Sequence, residues 1–217
     1  MAVVLFYLCC FLVLLKGTNS LATRQDIHNL RNQLLTNYDK NLSPNINQTE
    51  PVTLYVSFGL FTIQEFDDVK GKLSILGGFN ISWNDDRIVW DPRMYGNITY
   101  ISLAEADVWI PVAVLGRPYD DFKRLGHDFI RIFYTYNGNA FWDVADLFEI
   151  SCSADIAYYP FDRQMCEIFF VPFGYHPDFF SLKLPFDSML YVNFTENGSW
   201  KLLSSSLSVD VVVGSAF

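Results

Sequence analysis

The side chains that could do chemistry in this 217-residue chain are four cysteines, three histidines and a handful of paired aspartates. Cys9 and Cys10 sit inside AVVLFYLCCFLVLL, residues 2 to 15, an apolar run shorter than the roughly 20 residues a membrane-spanning helix needs. The run fits the apolar region of a secretory leader, and Ser20-Leu21-Ala22 offers small residues at the cleavage-specifying positions, so residues 1–22 are expected to leave as a signal peptide. Removal takes Cys9 and Cys10 with it. Cys152 and Cys166 are then alone in an oxidising compartment, and two isolated thiols there are expected to pair. Closing that loop of about 15 residues would stabilise by roughly 3 kcal/mol, so the fold must still stand on its core.

The other candidates point away from catalysis. His28, His127 and His176 lie far apart and lack metal-ligand spacing, and no nucleophile-and-base constellation or phosphate loop is present. Asp67-Asp68, Asp85-Asp86 and Asp120-Asp121 read as turn residues making local backbone hydrogen bonds. No enzyme activity, cofactor or metal is expected. With 15 basic against 24 acidic residues the formal charge is −9, and loss of Lys16 with the leader makes the mature chain more negative. That balance disfavours nucleic acid and anionic membranes and mildly favours cationic ligands; it equally serves solubility in a secreted protein. Six N-x-S/T sequons support secretion: Asn47, Asn80, Asn97, Asn193 and Asn197 are expected glycosylation sites, and Asn41 is disfavoured by the proline after its serine.

At 51% hydrophobic and 17% aromatic, residues 23–217 can bury one core, and a single domain is expected. Ile27, Leu30, Leu34 and Tyr38 recur at helical spacing, with Thr23 and Asp26 in capping-box positions. After Pro44 the period becomes two. Val52, Leu54, Val56, Phe58 and Leu60 alternate, then Leu73, Ile75, Phe79, Ile81 and Trp83, and later Leu207, Val209, Val211 and Val213. Turns are expected at Asp67-Asp68, Asn84-Asp85-Asp86, Asn137-Gly138-Asn139 and Glu196-Asn197-Gly198. The fold class is therefore all-β: an immunoglobulin-like sandwich of about ten strands with a short N-terminal helix. Beyond the leader, no stretch is long and apolar enough to be a transmembrane segment.

CSADIAYYPFDRQMC, residues 152 to 166, carries the sharpest signal. Two cysteines enclosing Tyr159-Pro160-Phe161-Asp162 resemble the signature loop of the Cys-loop family of pentameric neurotransmitter-gated channels. Other segments agree in order. Leu34-Leu35 to Asn41 resembles the family's N-terminal helix and its exit. Trp83-x-Asp85-x-Arg87-Ile88-x-Trp90-Asp91-Pro92 resembles its W-x-D-x-x-L-x-W-x-P segment, Trp109-Ile110-Pro111 its W-T-P, and Asn197-Gly198-Ser199-Trp200 its N-G-x-W strand. The resemblance spans most of residues 24 to 203 and is nearest to nicotinic acetylcholine receptor subunits. It implies an extracellular ligand-binding domain that assembles with other subunits of the family into a pentamer. It also implies a coupling loop, Tyr158, Tyr159, Pro160, Phe161 and Asp162, that presses on a membrane domain. The aromatic tip is receptor-like, whereas related soluble binding proteins carry a more polar one.

The agonist site departs from the family pattern. Members that bind acetylcholine surround its ammonium with aromatic faces, each attracting a desolvated cation by up to about 2 kcal/mol. The resemblance leaves Phe173 and Tyr175 as candidate ligand-binding residues for a small cationic ligand. Val112 replaces the family aspartate after W-T-P, Gly116 stands at a tyrosine position, Gly78 at a tryptophan position, and the adjacent cysteine pair is missing. Three readings remain open: the extracellular domain of a channel subunit, a secreted acetylcholine-binding-protein-like binder, and a secreted β-sandwich interaction protein that has lost its ligand.

Overall fold

The computed structural model describes residues 21–127, 129–157, 161–185, 194–196 and 198–209. Its single helix, α1 (Arg24–Leu35), begins with the expected capping box: Asp26 N–H donates to Thr23 Oγ1 at 3.2 Å, and Thr23 N–H donates to the Asp26 carboxylate at 2.8 Å. Leu30 and Leu34 are buried on one stripe, while Ile27 lies half out in solvent. The helix ends before Tyr38, with Asn37 in the left-handed region at φ 61°. Tyr38 therefore leaves the helical register and enters a polar cluster instead of continuing the apolar stripe.

Eight strands follow among the described residues: β1 (Val52–Asp67), β2 (Lys72–Val89), β3 (Tyr100–Ala104), β4 (Ala113–Gly116), β5 (Arg131–Thr135), β6 (Asn137–Ser151), β7 (Phe169–Pro172) and β8 (Phe180–Lys183). Six form one sheet in the order β3-β5-β6-β2-β1-β8, and β4 pairs with β7 in a second. The long β1–β2 hairpin realises the two alternating runs, turning at Asp67-Asp68 and closing through Gly71 at φ 65°. Phe58, Phe79 and Phe148 pack together at 4.9 to 5.9 Å between β1, β2 and β6, and Phe79 meets Phe170 of the second sheet at 5.6 Å. That contact joins the two layers of an all-β sandwich. On β6, Trp142, Val144, Phe148 and Ile150 point inward, while Phe141, Asp143, Ala145 and Leu147 line the outward face.

Two sequence expectations are corrected and one turn is placed. Asn84, Asp85 and Asp86 form no turn: they continue β2, and Asp85 is completely buried. Asn137, Gly138 and Asn139 do lie in the expected turn: the last β5–β6 pair is Tyr134 with Ala140, and Gly138 adopts φ 87° in the reversal between them, while Asn137 and Asn139 also pair with β2 on the other side. Leu207 and Val209 belong to no strand, because alternation supplies a face but a strand also needs a ladder partner, and none of the described strands pairs with them; Val211 and Val213 lie outside the described residues.

Asp85 shows what the turn reading missed. Its carboxylate accepts from Arg87 Nε at 2.8 Å, from Arg87 Nη2 at 2.9 Å and from the Tyr38 hydroxyl at 2.6 Å. Arg87 Nη1 donates onward to the Asp39 carbonyl at 2.8 Å, and its guanidinium lies 4.2 Å from the Tyr38 ring centroid. The Tyr38 oxygen also accepts from Trp109 N–H at 3.0 Å. Burial, with the Asp85 charge beside it, pushes the Tyr38 hydroxyl well above the usual phenol range, so it stays a neutral donor. One fork-shaped ion pair thus ties the helix exit, β2 and the segment before β4 together.

Candidate functional site

Two regions carry the residues singled out from sequence. The first is the loop after β7. Phe173 and Tyr175 both reach back to Val112 in the segment leading into β4: Phe173 N–H donates to the Val112 carbonyl at 2.9 Å, and Val112 N–H donates to the Tyr175 hydroxyl at 3.2 Å. Gly174 between them adopts φ 83°, which lets the loop turn sharply enough for both bonds. Position 112 is thereby a backbone anchor.

Tyr175 heads a stack of rings. It stacks on Phe179 at 4.7 Å and meets Phe180 edge-on at 4.7 Å; Phe180 lies 6.4 Å from Trp109, which meets Trp83 at 5.6 Å. Sequence reading missed Phe179 and Phe180 as Tyr175's partners, although an adjacent aromatic pair four residues on was a visible signal. The consequence is chemical. The Tyr175 face stacked on Phe179 is closed to a cation, so Tyr175 serves here as a half-buried packing aromatic, while Phe173 stands at the surface with 48% of its area exposed.

The neighbours of Gly116 and Gly78 differ in how much room they leave. Gly116 is buried in β4 opposite Phe169, and a Cβ there would lie 2.8 Å from Phe169 Cβ and 2.9 Å from Val171 Cγ2. No larger side chain fits without moving β7. Gly78 lies on the outward face between Gly59 and Ala145, and the ring of Phe61 reaches to 3.5 Å of where its Cβ would be. Phe61 gets there because a bulge in β1 between Leu60 and Thr62 leaves it unpaired and re-aims its side chain.

The second region is the disulfide-closed loop. Cys152 and Cys166 are bonded, with Cα atoms 5.3 Å apart. Cys152 is buried, and its N–H donates to the Gly71 carbonyl at 2.8 Å, tying the loop to the β1–β2 turn. Gln164 bridges the arms: Asp155 N–H donates to its Oε1 at 2.8 Å, while its Nε2 donates to the Asp155 carbonyl at 3.0 Å and to the Asp162 carboxylate. Ile156, Phe161 and Met165 project from this frame, the latter two 88% exposed. Val69, on the neighbouring β1–β2 turn, is also out in solvent. Beside them, hydrogen bonding from Lys72 holds the Glu149 carboxyl below its usual range. Tyr158, Tyr159 and Pro160 lie outside the described residues.

The remaining candidates are dispersed. His28 bonds Asn32, His127 pairs with Asp146 at 3.1 Å, and His176 lies 3.5 Å from Asp178, each on a different element. Among the described residues no cluster of three or more metal-ligating side chains occurs. Nor is any described helix long and apolar enough to cross a membrane. Asn47 and Asn97 are exposed in loops, Asn80 lies within β2, and Asn193 and Asn197 lie outside the described residues.

Comparison with known proteins agrees with this arrangement. Residues 27–213 match the model of the neurotransmitter-gated ion-channel ligand binding domain. The acetylcholine receptor subunit beta of Xenopus laevis is 29% identical over 197 residues, covering 87% of this chain and 40% of the relative. The human neuronal acetylcholine receptor subunit alpha-6 is 27% identical over 201 residues (92% and 40%), and the acetylcholine receptor subunit alpha-type acr-16 of Caenorhabditis elegans 29% over 205 residues (93% and 40%). The chain spans about two fifths of the length of these relatives. By the match over most of its length, the chain belongs to the neurotransmitter-gated ion-channel ligand-binding domain family.

Proposed function

We propose that this chain is the extracellular ligand-binding domain of a nicotinic-acetylcholine-receptor-like channel subunit, delivered through the secretory pathway and assembled with related subunits into a pentameric ring. The observation that carries the reading is the disulfide-closed loop. It holds Ile156, Phe161 and Met165 out of the core on a frame stiffened by Gln164 and tied to the β1–β2 turn. Apolar side chains held out in this way mark a contact surface, here one for a membrane domain. Secreted, glycosylated protein examined by light scattering is expected to be oligomeric; a strict monomer at micromolar concentration overturns the assembly.

The ligand is a small organic cation bound weakly. Phe173 is the exposed aromatic, Tyr175 is engaged with Phe179 and Phe180, and the Gly116 and Gly78 positions contribute no ring of their own. Each absent aromatic face forfeits about 0.5–2 kcal/mol, and about 1.4 kcal/mol is a factor of ten in affinity. Isothermal titration of the homomeric assembly with acetylcholine is expected to give weak binding or none. A sub-micromolar Kd would show that other aromatics have taken over the cage.

A further inference from the structure

The sequons differ in what the fold does to them, and the difference selects among them. Asn97 stands at the exposed tip of the turn between Pro92–Met94 and β3, in the left-handed region at φ 62° directly after Gly96 at φ 60°. Asparagine is one of the few residues that tolerates this conformation. The turn is built without the side chain: Asn97 N–H donates to the Pro92 carbonyl at 2.8 Å, and the neighbouring Tyr95 hydroxyl donates to Gln33 of α1. The acceptor Thr99 is exposed as well.

Asn80 is the opposite case. It lies in β2, inside the six-stranded sheet, with Ser57 of β1 on one side and Asp143 of β6 on the other, and its amide donates to the Asp143 carboxylate. β1 and β2 are consecutive strands joined by the turn at 68–71. Such a hairpin closes in about 1–10 μs, whereas the chain emerges at about 5–20 residues per second. Asn80 can therefore pair with Ser57 of β1 early, and Asp143 of β6 closes its other side once that strand has been made. Asn97 remains on an open turn before and after folding.

We propose that Asn97 carries an N-linked glycan and that Asn80 does not, an inference that rests on the secretory reading above. The glycan stands at the α1 end of the sandwich, because a Cβ on Gly96 would lie 2.8 Å from the Cα of Ala22 just before the helix. The apolar disulfide loop is tied to the β1–β2 turn at the other end of the same strands. Sugar on one end and bare apolar surface on the other gives the subunit a fixed polarity: the sugared end faces water and the bare end is left to bind.

Full-length chain secreted from eukaryotic cells, treated with peptide-N-glycosidase in heavy-oxygen water and mapped by mass spectrometry, tests both halves. The expected result is labelled aspartate at position 97 and unlabelled asparagine at position 80. Thr99→Ala, which removes the sequon without touching the left-handed residue, should lower the intact mass by one glycan. Thr99→Ser should keep that glycan, and Ser82→Ala should change nothing beyond its own atom. Unlabelled position 97 or labelled position 80 in secreted protein overturns the proposal and leaves the compartment standing. A chain found only in the cytosol with its leader intact overturns the compartment reading, and the proposal with it.

Discussion

The two ends of the sandwich are held by opposite means. At the α1 end the hold is an ion pair: Asp85, fully enclosed, is gripped by the half-buried Arg87 and by Tyr38, and every bond is non-covalent. At the other end the hold is covalent, Cys152 to Cys166, and apolar side chains stand in water. The difference follows from what each end can bury. The helix brings Leu30 and Leu34 into the core and excludes water from the polar cluster, so ionic hydrogen bonds there act in a low dielectric. The described residues of the disulfide loop bury little of their surface and gain little from the hydrophobic effect. A crosslink and the Gln164 bridge hold its shape, with Ile156, Phe161 and Met165 out in solvent.

The sharpest way to break the α1 end is Asp85→Ala. It leaves the Arg87 guanidinium half-enclosed without its carboxylate, and breaking such a pair costs about 3–5 kcal/mol. Denaturant unfolding should show that loss, and the double variant Asp85→Ala/Arg87→Met should recover part of it if the uncompensated charge is the cause. A smaller effect is expected at the other end. Cys152→Ala/Cys166→Ala should cost about 3 kcal/mol or less. Hydrogen exchange should quicken in residues 153–157 and 161–165 and at the Cys152 amide bound to Gly71, while the Tyr38–Asp85–Arg87 cluster keeps its protection.

Between the ends lie the two glycine positions. Gly116→Tyr drives its side chain into Phe169 and Val171 and should destabilise by about 1–3 kcal/mol without any gain in acetylcholine affinity. Gly78→Ala meets only ordinary contacts, at 3.4 Å and beyond, and should be near neutral. Thermal melts and titrations of the two variants check the pair; a Gly116→Tyr protein that binds acetylcholine tightly would overturn the reading of Gly116 as a packing position.

The smallest effect expected is at the helix cap. Thr23→Ala should cost about 1 kcal/mol. The side-chain and backbone hydrogen bonds of Thr23 hold the Asp26 carboxyl below its usual range. Its stabilising contribution is therefore complete above the unfolded value near 3.9 and is lost as pH falls through the lower folded value. Protection of the first-turn amides of α1, corrected for the intrinsic pH dependence of exchange, should fall under acid in the parent and fall less in Thr23→Ala, which keeps only the backbone bond to Asp26.

What sequence could show was local or periodic. The capping box depends on residues three apart, and β1 and β2 announce themselves through alternating Val52, Leu54 and Phe58, then Ile75, Phe79 and Ile81. The cysteine pair was legible because Cys152 and Cys166 are the only cysteines outside the apolar run at residues 2–15. Asp85 was misread because a turn and a buried acceptor share the same local letters; only Arg87 two residues on and Tyr38, brought in from the helix exit 47 residues away, decide between them. Gly116 and Gly78 read from sequence as lost ligand contacts, and it took the packing of Phe169, Val171 and Phe61 around them to show one position closed and the other covered. Sequence by itself determined the helix start, the strand periodicity and the crosslink, because neighbours along the chain set those terms. Tertiary structure decided which charges are buried and which aromatic faces are open, because both depend on what distant strands place against them.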